Sequence, residues 1–219
     1  MDLYFLIKEQ RKSIRAPVDT MGCCSVGKEL TAEEKKFQIL VALLLSSQTK
    51  DEVTYAAVSS LRLLLNDLTP KNILKCPETD LHKCLEKVGY HNKKLKFLLE
   101  ISKRVQKEMP STLEDVLKLP GIGKKMAYLY LFHGCNKNEG IGVDTHVHRI
   151  SNRIGLAHSK TPEETRIQLE ALVPREEWQE LNSVMVGFGQ RVCLPVKPKC
   201  SSCIARDKCP SSGMLEKKA

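Results

Sequence analysis

From Phe37 to Leu45 the chain is almost wholly apolar, without the alternation of a half-buried strand, and Thr31-Ala32-Glu33-Glu34 just before it has the form of a capping box. This pattern predicts a buried central helix ending in the polar turn Leu45-Ser46-Ser47-Gln48-Thr49-Lys50-Asp51. Asp51 is expected to cap the next helix, Val53 to Leu65. Thr69-Pro70 and Thr79-Asp80 each read as an N-cap followed by a good first-turn residue, so two short helices should precede Gly89. From Asn92 to about Met109 the apolar positions Leu95, Leu98, Ile101 and Val105 mark one helical face. Around them stand Lys93, Lys94, Lys96, Lys103, Arg104 and Lys107, as a solvated face or a stripe turned toward phosphates.

Ser111-Thr112-Leu113-Glu114 reads as a second capping box, opening a short helix with Val116, Leu117 and Leu119 on its apolar face. Pro120 and Gly121 stop it, and another helix starts at Lys124. Further helices are expected from Thr145 to about Gly155, from the Thr161 cap to near Val173, and from Arg175 to Phe188 around the single Trp178. The segment 1–29 carries the basic run Lys8 to Arg15, then Pro17 and Cys23-Cys24. It reads as a solvated helical arm followed by plain thiols. With neither an internal repeat nor alternating strands in the pattern, the fold class is all-α with short connections.

Composition narrows the function. The 219 residues, 42% of them apolar, suit one large or two small domains with a sizeable core. A formal charge of +9 favours a polyanionic partner, although charge alone does not single out nucleic acid. No apolar run reaches transmembrane length, and Leu3 to Ile7 is too short for a signal peptide, which places the protein inside the cell. There, nine cysteines argue for thiols or metal ligands rather than disulfides.

The candidate chemistry begins at Leu119-Pro120-Gly121-Ile122-Gly123-Lys124-Lys125. Gly121 and Gly123 permit a tight turn with outward amides at a helix N-terminus, a site for a phosphate oxygen. This is a helix-hairpin-helix, which grips a nucleic-acid backbone without reading its sequence. Desolvation and the positive helix end would both favour a neutral, nucleophilic amine on the lysines that follow. Asp144, in the mostly apolar run Ile141 to His146, is costly to bury without a partner or a task. Taken by themselves, a solvated lysine and a helix-capping aspartate explain these residues more readily than catalysis does. At the C-terminus, Cys193, Cys200, Cys203 and Cys209 stand in the spacing C-x6-C-x2-C-x5-C, in a loop too rich in Pro, Lys and Ser to form a core. Four thiolates in a small volume need a cation. Zinc accepts four cysteines, but the single C-x2-C and the unequal spans favour an iron-sulfur cluster. Lys197 and Lys199 lie between the first two ligands, giving a basic loop able to touch DNA. Cys76, Cys84 and Cys135 read as small apolar fillers.

Four elements in order, the Leu45–Asp51 turn, the Leu119–Lys125 hairpin, Val143-Asp144-Thr145-His146-Val147-His148-Arg149 and the cysteine quartet, closely resemble the endonuclease III family, in particular its eukaryotic bifunctional DNA glycosylases for oxidised pyrimidines. The resemblance covers roughly Ala16 to Pro210. It implies a two-domain helix-hairpin-helix glycosylase fold, with a six-helix domain over residues 30–138 and a cluster domain formed by 1–29 plus 139–219, DNA lying in the cleft between them. It implies Lys125 as nucleophile and Asp144 as catalytic carboxylate. Gln48 matches the residue that enters the gap left by an extruded base, and Tyr90 falls where bacterial members carry a leucine wedge. Gly121, Gly123, Lys124 and His146 complete the implied DNA contacts, with Lys197 and Lys199 from the basic loop. The four cysteines would hold a [4Fe-4S] cluster. The implied partner is damaged double-stranded DNA bound by a monomer in the nucleus, with the mitochondrion as a second compartment. An adenine-type monofunctional glycosylase and a non-catalytic metal-stapled DNA-binding module are the competing readings; Lys125 and the short C-terminus speak against the first.

Overall fold

The computed structural model describes residues 1–23, 25 and 30–212; Cys24, read above as a plain thiol, lies outside the described residues. Among the described residues there are twelve α-helices and no strand. They are α1 (Asp2–Arg11), α2 (Pro17–Met21), α3 (Ala32–Ser46), α4 (Asp51–Leu65), α5 (Pro70–Lys75), α6 (Glu78–Leu85), α7 (His91–Arg104), α8 (Leu113–Leu117), α9 (Lys124–Cys135), α10 (Thr145–Arg153), α11 (Pro162–Leu172) and α12 (Trp178–Arg191). The chain forms two compact units, one Met21–Glu139 and the other Met1–Thr20 with Gly140–Ala219.

In the first unit α3 is the axis. Thr31 accepts a hydrogen bond from the Glu34 amide while the Glu34 carboxylate accepts from the Thr31 amide, so both helix-end donors are satisfied reciprocally. Every residue of α3 from Phe37 to Leu45 is buried, because other helices surround it; α9 packs on it most extensively. That explains the missing periodicity: a helix covered on all sides has no polar face.

Several expected boundaries shift. Asp51 is the first residue of α4 rather than its cap, placing a carboxylate in the first turn where the helix dipole favours it. α6 opens at Glu78 behind Pro77, whose fixed φ of −55° already suits a helix entry, so Thr79 lies inside the helix. Thr112 pairs with Asp115, one residue later than the expected Ser111–Glu114 capping box. α7 ends at Arg104, and beyond it the chain turns so that Val105 and Met109 both enter the core.

The second unit corrects the reading of the N-terminal segment. α1 is no solvated arm: Tyr4 and Ile7 are fully buried against α12, and the Lys8 ammonium meets Glu177 at 2.7 Å, a residue 169 positions away. Tyr4 donates to the same carboxylate at 3.0 Å, and burial followed by that contact pushes its hydroxyl well above the usual phenol range. The expected helix from Arg175 begins as a 3-10 turn, Arg175–Glu177, and continues as α12.

Candidate functional site

Within the first unit, α8 and α9 flank the turn 118–123. Gly121 has φ +78°, and a Cβ there would run into the Phe97 ring and reach Leu44 at 3.1 Å, so both backbone and space require glycine. Ile122 is buried beneath the turn and anchors it. Gly123 is the N-cap of α9 with φ −101°, and a Cβ there would meet nothing within 4 Å. Among the described residues no side chain caps α9 at Gly123, so the positive end of the helix stands at the turn. Lys124 and Lys125 are the first two residues of that turn, Lys124 exposed and Lys125 half-buried.

The turn after α3 stands elsewhere in the same unit. Gln48 is exposed with φ +50°, and Tyr90, the cap of α7, is 67% exposed with φ +58°. Two non-glycine residues in the left-handed region are thus presented to solvent by adjoining turns: the Gly89 amide donates to Thr49 Oγ1 at 3.1 Å, and a Cβ on Gly89 would approach the Gln48 carbonyl to 2.5 Å. Of the basic stripe on α7, Lys93, Lys96, Lys103 and Arg104 are exposed, whereas Lys94 is buried with its amine at the end of α3.

In the second unit Asp144 is the N-cap of α10, its Oδ1 accepting from the Val147 amide at 2.8 Å. The capping alternative raised by the sequence is therefore realised, and the segment entering the cap is pinned twice. Glu170 accepts from the Ile141 amide at 2.8 Å, and Asn182, buried, donates to the Gly142 carbonyl at 2.6 Å. His146 lies two residues on, in the first turn of α10, its Nδ1 accepting from Arg149 Nη2 at 3.2 Å, with Gly189 of α12 so close that a Cβ there would strike the ring.

Cys193, Cys200, Cys203 and Cys209 all line one cavity in this unit, together with Ile7 and Phe188. Burial first, then the neighbouring Cys193, Cys209 and Cys200 thiols, raise the Cys203 thiol above its ordinary range. Among the described residues no three His, Cys, Asp or Glu side chains are placed to hold a single metal ion. α10 fastens the loop: Arg153 donates to the Leu194 and Pro195 carbonyls at 2.6 and 2.8 Å and reaches Cys193 Sγ at 3.4 Å, while Arg149 donates to the Cys193 carbonyl at 3.0 Å. Sequence reasoning missed these arginines, although two basic residues four apart on one helix face were the signal. Lys197 and Lys199 are exposed on the loop, Lys197 with φ +48°.

A glycine turn, an uncapped helix start and a cysteine-lined loop together define a class. Residues 41–175 match the family described as "HhH-GPD superfamily base excision DNA repair protein". The chain is 48% identical to an Endonuclease III homolog of Encephalitozoon cuniculi over 97% of its own length and 94% of the relative's. It is 42% identical to an Endonuclease III homolog of Schizosaccharomyces pombe, covering 96% of this chain and 61% of that protein. A trapped Endonuclease III–DNA covalent intermediate superposes with a TM-score of 0.79 at 25% identity, over 96% of this chain and 95% of the other. The chain belongs to the endonuclease III family of that superfamily.

The two hairpin glycines should respond differently to alanine. Gly121→Ala is expected to lose about 2 kcal/mol of stability, since the new side chain meets both an unfavourable φ and the Phe97 ring. Gly123→Ala should stay within about 1 kcal/mol yet weaken duplex DNA binding severalfold, its methyl filling open space that a backbone phosphate needs to approach the helix start. Urea unfolding and fluorescence anisotropy with a labelled duplex separate the two effects.

Proposed function

We infer that this chain is a bifunctional DNA glycosylase and abasic-site lyase of base excision repair, removing oxidised pyrimidines from duplex DNA as a monomer. The observation that carries the reading is an intact Gly121-Ile122-Gly123-Lys124-Lys125 hairpin at the start of α9, in a chain 48% identical to an Endonuclease III homolog over nearly its whole length. A base inside a duplex is unreachable, so the damaged nucleotide is extruded, at a cost of a few kcal/mol that is smallest for a poorly stacked lesion. The hairpin amides and the positive end of α9 bind the backbone phosphate, with Lys124, His146, Lys197 and Lys199 as further DNA contacts. Neutral Lys125 attacks the sugar C1′ and the base leaves with the bonding electrons of the glycosidic bond. Asp144 accepts the lysine proton or stabilises positive charge developing on the sugar. The lysine nitrogen then expels O4′, which takes up a proton as the sugar ring opens and leaves an iminium at C1′. The iminium draws electrons from C2′, the C2′ proton is lost, and β-elimination breaks the strand as the 3′ phosphate leaves.

The donor set suits a [4Fe-4S] cluster: four cysteines line one cavity, and their spacing has a single C-x2-C with unequal spans. Such a cluster would supply four Fe–S bonds that hold the Lys197–Lys199 loop folded, and Arg149 and Arg153 would orient that loop from α10. The protein purified anaerobically is expected to absorb at the blue edge of the visible and to carry about four irons per chain. Colourless protein with stoichiometric zinc would overturn the cluster reading. The repair activity belongs to the nucleus, with the mitochondrion as a second compartment. Among the described residues no helix is long and apolar enough to cross a membrane.

A duplex with one thymine glycol tests the activity. Base release with a β-elimination nick is the expected result. Binding without base release on several oxidised pyrimidines would support a DNA-binding module instead, and release of adenine alone, without a nick, would support an adenine-type enzyme.

A further inference from the structure

Lys94 is the one basic residue of the α7 stripe that solvent does not reach, 4% exposed. Its ammonium has three donors and three oxygens: the Leu45 carbonyl at 2.7 Å, the Ser47 carbonyl at 2.6 Å and Thr49 Oγ1 at 3.1 Å. The end of α3 is thereby completed, because the Ser46 hydroxyl already donates to Leu43 O at 2.9 Å and the Ser47 hydroxyl to Leu44 O at 3.4 Å. Thr49 Oγ1 is shared further: it donates to the Ser47 carbonyl at 3.2 Å and accepts from the Gly89 amide. One buried amine is therefore two hydrogen bonds from Gly89, next to Tyr90, and one peptide from Gln48 on either side.

Gln48 and Tyr90 both hold left-handed backbone conformations that cost about 1–2 kcal/mol each for a residue with a side chain, and such strain persists only where the surroundings enforce it. Burial of an ammonium is also unfavourable: it pushes the Lys94 amine down to about 8. A fold does not need this arrangement merely to close α3, since a glycine after the last turn does so commonly. What the arrangement does achieve is to fix two exposed side chains, one amide and one aromatic, on adjoining turns.

We propose that Lys94 is a positioning residue for DNA probing: it ties the end of α3 to the turn before α7 so that Gln48 and Tyr90 are held ready to enter the space an extruded base vacates. The proposal rests on the reading of Gln48 and Tyr90 as the gap-entering pair. Lys94 itself touches no substrate; its effect passes through Thr49 and Gly89. It should therefore act on extrusion and leave substrate capture and the lysine chemistry unaltered.

The test is a double-mutant cycle between Lys94→Met and the paired variant Gln48→Ala/Tyr90→Ala. The duplex carries thymine glycol with 2-aminopurine beside it, whose fluorescence rises when its neighbour unstacks. Lys94→Met is expected to slow that rise and kcat for base release by about ten- to a hundredfold, with KM little changed. Borohydride trapping on a single-stranded abasic oligonucleotide, which needs no extrusion, should keep its rate. In the Gln48→Ala/Tyr90→Ala background, Lys94→Met should add little more. Thr49→Val cuts the same link with a side chain of similar shape and should reproduce the pattern more weakly; it carries the test if thermal unfolding shows that Lys94→Met does not fold. Additive effects, a loss of single-stranded trapping equal to the duplex loss, or unchanged extrusion in both folded variants would overturn the proposal. If Gln48→Ala/Tyr90→Ala itself leaves extrusion unchanged, the gap-entering reading beneath it falls instead.

Discussion

Replacing Lys125 by alanine is expected to abolish the borohydride-trapped protein–DNA adduct and to slow base release by at least about 10³-fold, while Lys124→Ala still forms the adduct. An imine requires a primary amine at the reacting carbon, and adjacent helix residues project about 100° apart. The two lysines therefore serve different directions from the first turn of α9: Lys124 is exposed, and Lys125 lies partly covered against the helix start. Neither side chain is buried, so both variants should unfold within about 1 kcal/mol of the parent chain. An adduct lost only in Lys124→Ala would move the nucleophile by one position. An adduct kept in both variants would place the imine on another amine, and strand cleavage without any adduct in the parent chain would take the imine out of the mechanism altogether.

Asp144 carries the second large effect, and its cap makes the test clean. Asparagine caps a helix as well as aspartate does, so Asp144→Asn should keep the 2.8 Å bond to the Val147 amide and leave stability within about 0.5 kcal/mol. Base release should nonetheless fall by about 10²–10⁴-fold, because the amide neither takes a proton nor carries charge. Asp144→Ala removes both tasks and should add a stability loss of about 1 kcal/mol. Single-turnover base release read beside urea unfolding for the two variants separates carboxylate from cap. Full activity in Asp144→Asn would leave capping as the whole role of this residue.

How far the chain was legible follows from the range of each signal. Thr31 and Thr161 each carry a glutamate three residues on, and both caps form as the sequence implies, because every partner lies within one turn. The continuous apolar run of α3 was equally plain. The start of α6 was not, since Pro77 and Thr79 offered competing entries and local pattern does not rank them. Lys94 was misread as one charge in a surface stripe. Its spacing nevertheless places it four residues before Leu98 and seven before Ile101, on the apolar face, and that was the available signal. Glu170 and Asn182, which pin the approach to Asp144, are paired with backbone 29 and 40 positions away, a relation that no local periodicity encodes. The roles given to Lys125 and Asp144 came from the family's motif; the residues by themselves favoured a solvated lysine and a helix cap.

The pairing of α1 with α12 bears on the order in which the chain becomes native. Met21–Glu139 is one continuous stretch and can complete its core as soon as it has left the ribosome. Tyr4 and Ile7, by contrast, are made first and buried last: the carboxylate that receives Tyr4 and Lys8 is 169 or more residues downstream. Until synthesis reaches α12, α1 keeps an apolar face without its partner, and closing so long a loop delays that contact further. Birth order and docking order are thus opposite at the N-terminus, and weakening α1 should slow the last folding step of the Met1–Thr20 and Gly140–Ala219 unit while leaving the first to form on its own.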